Sequence, residues 1–555
     1  DLQLEQLGLC IAEDGTSNVI LTAISCENFD SLEWQYYENG DFNTIANVTD
    51  SFSPDKPGEY RLKGSISYEN TTEEFYSNVI PVSICPNDSD EDGIIDNIDL
   101  DLDNDGILNS VESNGDGTIN FTNITSPEIE LINGQTHSIT TTGIIEKSDN
   151  SHSISLSSIE NSSFESQIMQ GDEDGKIEYR LNFSEDINIE IKDGGVQTAL
   201  KAEESFSISV YPTNQNITVL NEDNSLIIDT DYNNSYESNV SRFTSNLINF
   251  KFNPDFTGDK SYAFLASKIN GLKFTHNYNG TNGESVIVQS YIIKNHSLDS
   301  DGDTIDDYLD DDSDDDGCDD IFEAGFDYEN FAGDPDNDGK IGESTPYEDG
   351  DVDERGLYVG HDYEIEPKKD VNGDYLFQVF GQAPSIDNQP KSTIACIGSN
   401  IEFEVSASAT EGVLNYQWQY LDNNLWTDLI NDDTYQGIDS SKLTIKNIDE
   451  THNGNYRVLV NTDLYLCETP SNDNISLTVN AAPDNPTGQV IQTFCQSSTP
   501  TIADLTINNL GTNTLYWYES LESTNPIDLN VELEHNKFYY AEEYHQDYEK
   551  KNPYN

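Results

Sequence analysis

The sequence is poor in positive charge and nearly devoid of methionine. Only 25 lysines and arginines stand against 105 aspartates and glutamates, giving a net charge of −80 over 555 residues, and Met169 is the one methionine. A surface of that sign repels phosphate backbones and anionic headgroups, which excludes nucleic acid and anionic membranes as partners. It suits a salty extracellular medium, where screening is strong. No apolar run approaches the ~20 residues of a membrane helix, so membrane insertion is not expected, and no signal-peptide pattern is present. The seven cysteines never fall in a CxxC spacing, which removes zinc and thioredoxin chemistry, and their odd number leaves at least one without an intrachain partner. The eight histidines are scattered, with no HExxH, and there is no GxSxG or phosphate-cradling glycine loop. An enzyme is therefore not expected.

What is there is acid in register. Asp312, Asp314, Asp316, the Cys318 carbonyl, Asp320 and Glu323 occupy positions 1, 3, 5, 7, 9 and 12 of a twelve-residue loop. Gly317 takes the tight turn at position 6, which completes a calcium-loop pattern. Asp299, Asp301, Asp303, the Ile305 carbonyl, Asp307 and Asp310 form the preceding loop, with Thr304 where glycine is preferred. An earlier pair repeats the arrangement. Its first loop has Asp88, Asp90, Asp92, the Ile94 carbonyl, Asp96 and Asp99, with Gly93 at the turn. Its second has Asp101, Asp103, Asp105, the Ile107 carbonyl, Asn109 and Glu112, with Gly106. A fifth loop starts at Asp334, Asp336 and Asp338 with Gly339, but positions 9 and 12 are Gly342 and Thr345. Asp349, Asp351 and Asp353 could complete it from outside.

Blocks of like charge are usually solvated and disordered. Here the turn residue and the position-12 acid return in register, which a random acidic run would not do. Carboxylates ~6 Å apart repel by about 0.7 kcal/mol even at water's dielectric constant. A divalent cation converts that repulsion into attraction. Calcium is expected over magnesium, because cages of six or more protein oxygens suit the larger ion. Four calcium sites are expected, and a fifth if the degenerate loop is completed.

Between the acidic runs the sequence reads as strands and turns, rich in Thr, Ser, Asn, Ile, Val and Tyr. Residues 1–86 read as an immunoglobulin-like β-sandwich around Trp34 and Tyr36, followed by the turn Pro57-Gly58-Glu59-Tyr60. Two of Cys10, Cys26 and Cys85 could form a disulfide, with the pair left open. Residues 87–113 are the first calcium pair. Residues 114–297 read as a larger, jelly-roll-like sandwich, with strands at 153–156, 177–183, 187–191, 205–211, 247–252, 262–266 and 285–293. Phe274, Tyr278 and Tyr291 in that unit are candidates for a sugar-stacking face, which gives a glycan-binding alternative. Residues 298–382 hold the second calcium pair, the degenerate loop and a linker. Residues 383–480 read as a second immunoglobulin-like sandwich around Trp418 and Tyr456. Phe403 and Val458 occupy the places of the usual two cysteines there, and Cys396 is expected to pair with Cys467. Residues 483–555 begin a further such module, with Thr493–Cys495 and 515–518 as its strands, and the chain is expected to be a portion of a longer protein. The expected fold class is thus all-β: a string of β-sandwich domains joined by calcium-binding acidic loop repeats.

The paired DxDxDG loops resemble thrombospondin type 3 calcium repeats. The order of acidic loops, CDDIFEAGFDYENFAGDPDNDGKIGEST, APSIDNQPKSTIACIGSNIEFEV and APDNPTGQVIQTFCQSSTPTIADL is similar to that of giant surface adhesins of Bacteroidota, including gliding-motility adhesins. The likeness covers residues 85–113 and 298–555 best. It implies a bacterial cell surface or surface appendage, export by type IX secretion, and a non-enzymatic adhesive stalk or fibre stiffened by calcium. The partners it implies are further domains of a parent chain, identical chains in a fibre, and a cell-surface or glycan ligand.

Overall fold

In the computed structural model the chain forms two compact units, 1–380 and 381–555. The residues described are 2–7, 10–11, 19–25, 28–38, 41–47, 51–68, 71–131, 137–147, 154–159, 163–168, 175–194, 204–278, 285–326, 339–342, 351–472, 475–480, 491–494, 499–507, 514–520, 523, 525–534, 537 and 539–544. The fold is nearly all β, a series of β-sandwiches with a few single-turn helices.

The first unit opens with a small sandwich. One sheet contains Leu2–Leu7, Ile20–Ser25 and Ser51–Phe52; the other runs Asp41–Asn47, Ser31–Glu38, Gly58–Tyr68, Thr71–Tyr76, with Ile80–Val82 also on Gly58–Tyr68. Trp34, Tyr60, Leu62 and Val82 meet between them in a closed core. The alternative left open among the cysteines resolves as Cys10–Cys85. Cys26 lies outside the described residues.

The larger sandwich of this unit joins thirteen strands into one hydrogen-bonded network. Its spine is two long antiparallel strands, Gly175–Asp193 and Ala263–Tyr278. The expected strands 177–183 and 187–191 are one strand, bent by a register shift between Asn182 and Ile187. Expected strand 247–252 coincides with Leu247–Phe252. The sugar-stacking expectation fails here. Phe274, Tyr278 and Tyr291 are all within 1% of full burial. Phe274 packs edge-on against Phe164, and Tyr291 packs edge-on against Phe121 and tilted against Phe164, so these rings fill the core and none is available to a sugar.

In the second unit, Trp418 and Tyr456 are fully buried between a sheet ordered Thr393–Cys396, Ile475–Asn480, Gly454–Thr462, Leu414–Asp422, Leu425–Asp428 and a sheet of Ile401–Glu404, Lys442–Ile445 and Tyr435–Gln436. Phe403 and Val458 are buried where the usual cysteines would stand. The expected Cys396–Cys467 bridge does not form. Cys396 carries a free thiol, while Cys467 is disulfide-bonded elsewhere. Beyond residue 483, Thr514–Tyr518 pairs antiparallel with Tyr540–Tyr544. Thr493 is described but lies in no strand, and Cys495 lies outside the described residues.

The two small sandwiches repeat one set of side-chain bonds on a shared WQY and YR pattern. Arg61 Nε donates to Gln35 Oε1 at 2.8 Å, and Arg457 Nε to Gln419 Oε1 at 2.6 Å. The Tyr60 hydroxyl donates to the Lys56 carbonyl at 2.7 Å, and that of Tyr456 to the His452 carbonyl at 3.1 Å, each reaching back four residues. Such a tyrosine corner belongs to immunoglobulin-type sandwiches. Tyr36 and Tyr420 donate to the carbonyls of Pro57 and Asn453, at 3.0 and 2.9 Å. The amides of Leu62 and Val458 are held by the Ser77 and Ser471 hydroxyls, at 2.8 and 3.0 Å.

Candidate metal centre

Each acidic loop is built by the same local bonds. The position-1 carboxylate accepts from the position-6 amide: Asp88 from Gly93, Asp101 from Gly106, Asp299 from Thr304 and Asp312 from Gly317, at 3.0–3.2 Å. Position 5 accepts from position 7, at 2.6 Å for Asp92 and Ile94 and for Asp105 and Ile107. Positions 4 and 6 have positive φ in all four loops. At position 6 glycine takes that conformation freely, whereas Thr304, at φ 87°, does so under strain.

The position-9 side chains, expected as ligands of their own loops, also accept hydrogen bonds from the position-2 residue. Asp96 accepts from the Ser89 amide and hydroxyl, Asp307 from those of Ser300, Asp320 from those of Ser313, and Asn109 Oδ1 from the Leu102 amide. Their amides close the loop onto the residue before position 1, at 2.7–3.0 Å. They staple the loop in its curve.

This pattern leaves the other carboxylate oxygens turned inward. Asp88 Oδ1, Asp92 Oδ2, Asp101 Oδ1, both oxygens of Asp103, Asp105 Oδ2, Asp312 Oδ1 and Asp314 Oδ2 are buried without a hydrogen-bond partner. At position 12 the loops differ. Both oxygens of Glu112 and of Glu323 are buried and unpartnered, so each can bind bidentately. Asp99 and Asp310 each give one oxygen to a backbone amide, those of Asp101 and Asp312. Single-turn helices, Asn109–Glu112 and Asp320–Ala324, set the two glutamates in place.

Burying anions without partners is costly unless a proton or cation compensates. Burial, followed by the neighbouring carboxylates, raises Asp103, Asp105 and Glu112 well above the usual carboxylate range. Burial and the same crowding push Asp314 up to about 8 and Glu323 to about 11. An all-oxygen, strongly anionic cage of this kind fits a hard divalent cation of calcium's size. The Cys318 sulfur is tied in a disulfide, which leaves its carbonyl as its contribution. The 299–310 loop is the most open, with Asp301, Asp303 and Ile305 exposed.

The two loop pairs, expected as separate linkers, pack together in the first unit. Ile107, Ile321, Ala324, Phe326, Ile341 and Phe377 share one small core. The Ile341 amide donates to the Asn104 carbonyl at 2.7 Å, and Lys340 Nζ donates to the Asp103 carbonyl at 2.7 Å. Gln378 bridges the Glu112 carbonyl and Asp307 Oδ2. Gly356, at φ 80°, lies against the Asp99 carboxylate, where a Cβ would collide. The reason for the departure is apolar. Residues 107, 321 and 341 are too few to bury themselves within their own segments.

Asp334, Asp336, Asp338, Thr345 and Asp349 of the degenerate loop lie outside the described residues. Asp353 Oδ1 accepts from the amides of Arg355 and Leu357. Sequence reasoning missed a loop of the same build inside the large sandwich. Asp229 accepts from the Asn234 amide, Asp231 from Asn233, Asn233 from Ser235, and Glu237 from the Thr230 amide and hydroxyl. Tyr232 and Asn234 have the positive φ of positions 4 and 6. The signal was Asp229, Asp231 and Asn233 at alternate positions, obscured by Asn234 at the turn and Val240 at position 12.

Residues 383–461 match the family model of the immunoglobulin domain. No curated protein matches the chain. Among solved structures it is similar to the tandem Ig repeats of Dlar, at 20% identity over 18% of this chain and 49% of that one, with a TM-score of 0.15. It is also similar to a chimeric titin Z1Z2, at 23% identity over 18% of this chain and 97% of that one, TM-score 0.15. A third is titin M4, at 20% identity over 18% and 100%, TM-score 0.16. The chain thus spans about half the length of the Dlar structure it matches. The family match supports an immunoglobulin-like module at residues 383–461, a class typical of extracellular proteins and commonly engaged in protein interactions. Among the described residues no helix is long and apolar enough to cross a membrane.

Proposed function

We propose that this chain is a non-enzymatic, extracellular structural or adhesive segment whose two acidic segments are held together by calcium. The observation that carries the reading is the inward convergence of buried, unpartnered carboxylate oxygens in the 88–112 and 312–323 loops. Calcium in these loops offsets the repulsion of the acids and lets the small core around Ile107 and Ile321 close. Immunoglobulin-type sandwiches before and after this centre would transmit load through their sheets.

The resemblance of the loops to thrombospondin type 3 repeats supports calcium as the ion. The likeness to Bacteroidota surface adhesins supports a place on a bacterial surface or appendage, with type IX secretion as the route. With a net charge of −80 per chain, lateral association of identical chains needs salt or divalent cations to suppress repulsion. The test is calorimetric titration of the full chain with calcium after chelation. The reading requires about four ions bound per chain, with magnesium competing poorly. No calcium uptake would overturn it.

A further inference from the structure

We propose that Asp320, the ninth residue of the last loop, is a ligand of the ion held by the 101–112 loop, so that the two acidic segments share a metal site. The inference rests on the reading that calcium fills these loops. It adds a ligand from a different segment of the chain, which the twelve-residue pattern does not assign.

One carboxylate oxygen each from Asp105, Glu112 and Asp320 lies within 4.8 Å of the other two. That is about twice a calcium–oxygen distance of about 2.3–2.6 Å, the span expected across one ion. Glu112 is fully buried, and neither of its oxygens has a hydrogen-bond partner; Asp105 Oδ2 is likewise buried and unpartnered. These atoms point to a missing positive ligand, independently of how the loop backbone is folded.

The 101–112 loop also lacks an acid of its own at position 9. Asn109 stands there, with Oδ1 on the Leu102 amide and Nδ2 on the Asp99 carbonyl. Asp320 fills the gap from the other segment. Its oxygens accept from the Ser313 amide and hydroxyl, but a carboxylate oxygen has two lone pairs, so each retains one for a metal. Asp320 thereby has two tasks, shaping its own loop and completing its neighbour's cage. The bond of Lys340 Nζ to the Asp103 carbonyl keeps the two segments in register beside it.

The test compares calcium binding to the full chain for wild type, Asp320→Asn, Glu112→Gln and the double variant. Asparagine can keep the position-9 staple, as Asn109 does, while losing the charge. Asp320→Asn should weaken by about tenfold the same ion that Glu112→Gln removes. The double variant should then bind no worse than Glu112→Gln alone. Asp96→Asn, the matching change in the first loop, should leave that ion unaffected. Additive losses in the double variant would assign Asp320 to its own loop only and overturn the proposal, while calcium binding by the wild type would keep the underlying reading intact. An equal loss of that ion in Asp96→Asn would also overturn it, by showing a general loop defect. Absence of calcium binding by the wild type would overturn both.

Discussion

The Tyr363 hydroxyl donates a 2.6 Å hydrogen bond to Asp101 Oδ2, although 262 residues separate them in the chain. The same oxygen accepts the Gly106 amide, so Asp101 is fixed from two directions and its Oδ1 is left facing the loop centre. Tyr363→Phe should loosen that carboxylate at a cost of about 1.5–3 kcal/mol, the scale of a hydrogen bond to a charged group. The measurement is thermal unfolding in saturating calcium, together with calcium affinity. An unchanged melting temperature and affinity would show that the contact carries no weight.

Thr304 is the one position-6 residue in the four loops that is not glycine, and its φ of 87° is strained for a β-branched side chain. Thr304→Gly should stabilise the 299–310 loop by about 1 kcal/mol, the relieved strain exceeding glycine's entropic cost. Calcium affinity of that loop should rise severalfold. A fall in stability would mean that the threonine side chain makes a compensating contact.

The two tyrosine corners should behave alike. Tyr60→Phe and Tyr456→Phe each remove one hydroxyl bond to a carbonyl four residues back and leave the ring in place. Each should cost its own sandwich about 1 kcal/mol. Hydrogen exchange resolved by peptide should localise the loss to residues near 31–82 in the first case and 401–479 in the second.

The response to pH should change sign with calcium. Burial first, then neighbouring acids, raise Asp314 to about 8, and burial raises Asp90 to about 8 as well. A carboxyl whose folded pKa exceeds its unfolded value of about 4 gives stability that is complete below about 4 and lost as pH rises through the folded value. In chelator, the melting temperature of the first unit should therefore rise as pH falls from 8 to 6.5. With calcium bound, protons compete with the ion, and the same change should lower it. His276, held down to about 3 by burial, and His361, held down to about 4, act in the opposite direction only at the lower edge of this window, where the unfolded imidazoles begin to charge. Parallel trends in the two conditions would argue against a metal at these carboxylates.

Much of this architecture is legible in the sequence because its causes are local. Twelve contiguous residues contain a loop's donors and its turn, so the four loops can be read directly, as can Trp34 and Trp418 at the sandwich centres. Contacts between distant segments leave no such periodicity. Nothing in the spacing of Lys340, Gly356 or Tyr363 indicates that they lie against Asp103, Asp99 and Asp101. The second task of the position-9 residues is hidden for a different reason: the ligand pattern is a list of residue types and does not show that the same side chain also holds the loop's backbone. The rings of Phe274, Tyr278 and Tyr291 were ambiguous because strand alternation shows which residues share a face without showing which face is buried.

In the proposed function two acidic segments, far apart in the chain, become one calcium-organised body. Hydrogen exchange of the full chain in calcium and in chelator tests it most directly. The account predicts that amides in 88–112 and in 299–323, together with Ile341, gain protection together over the same range of calcium concentration. Tyr363→Phe should shift both segments. Exchange that ignores calcium, or segments that become protected independently at separate concentrations, would contradict it.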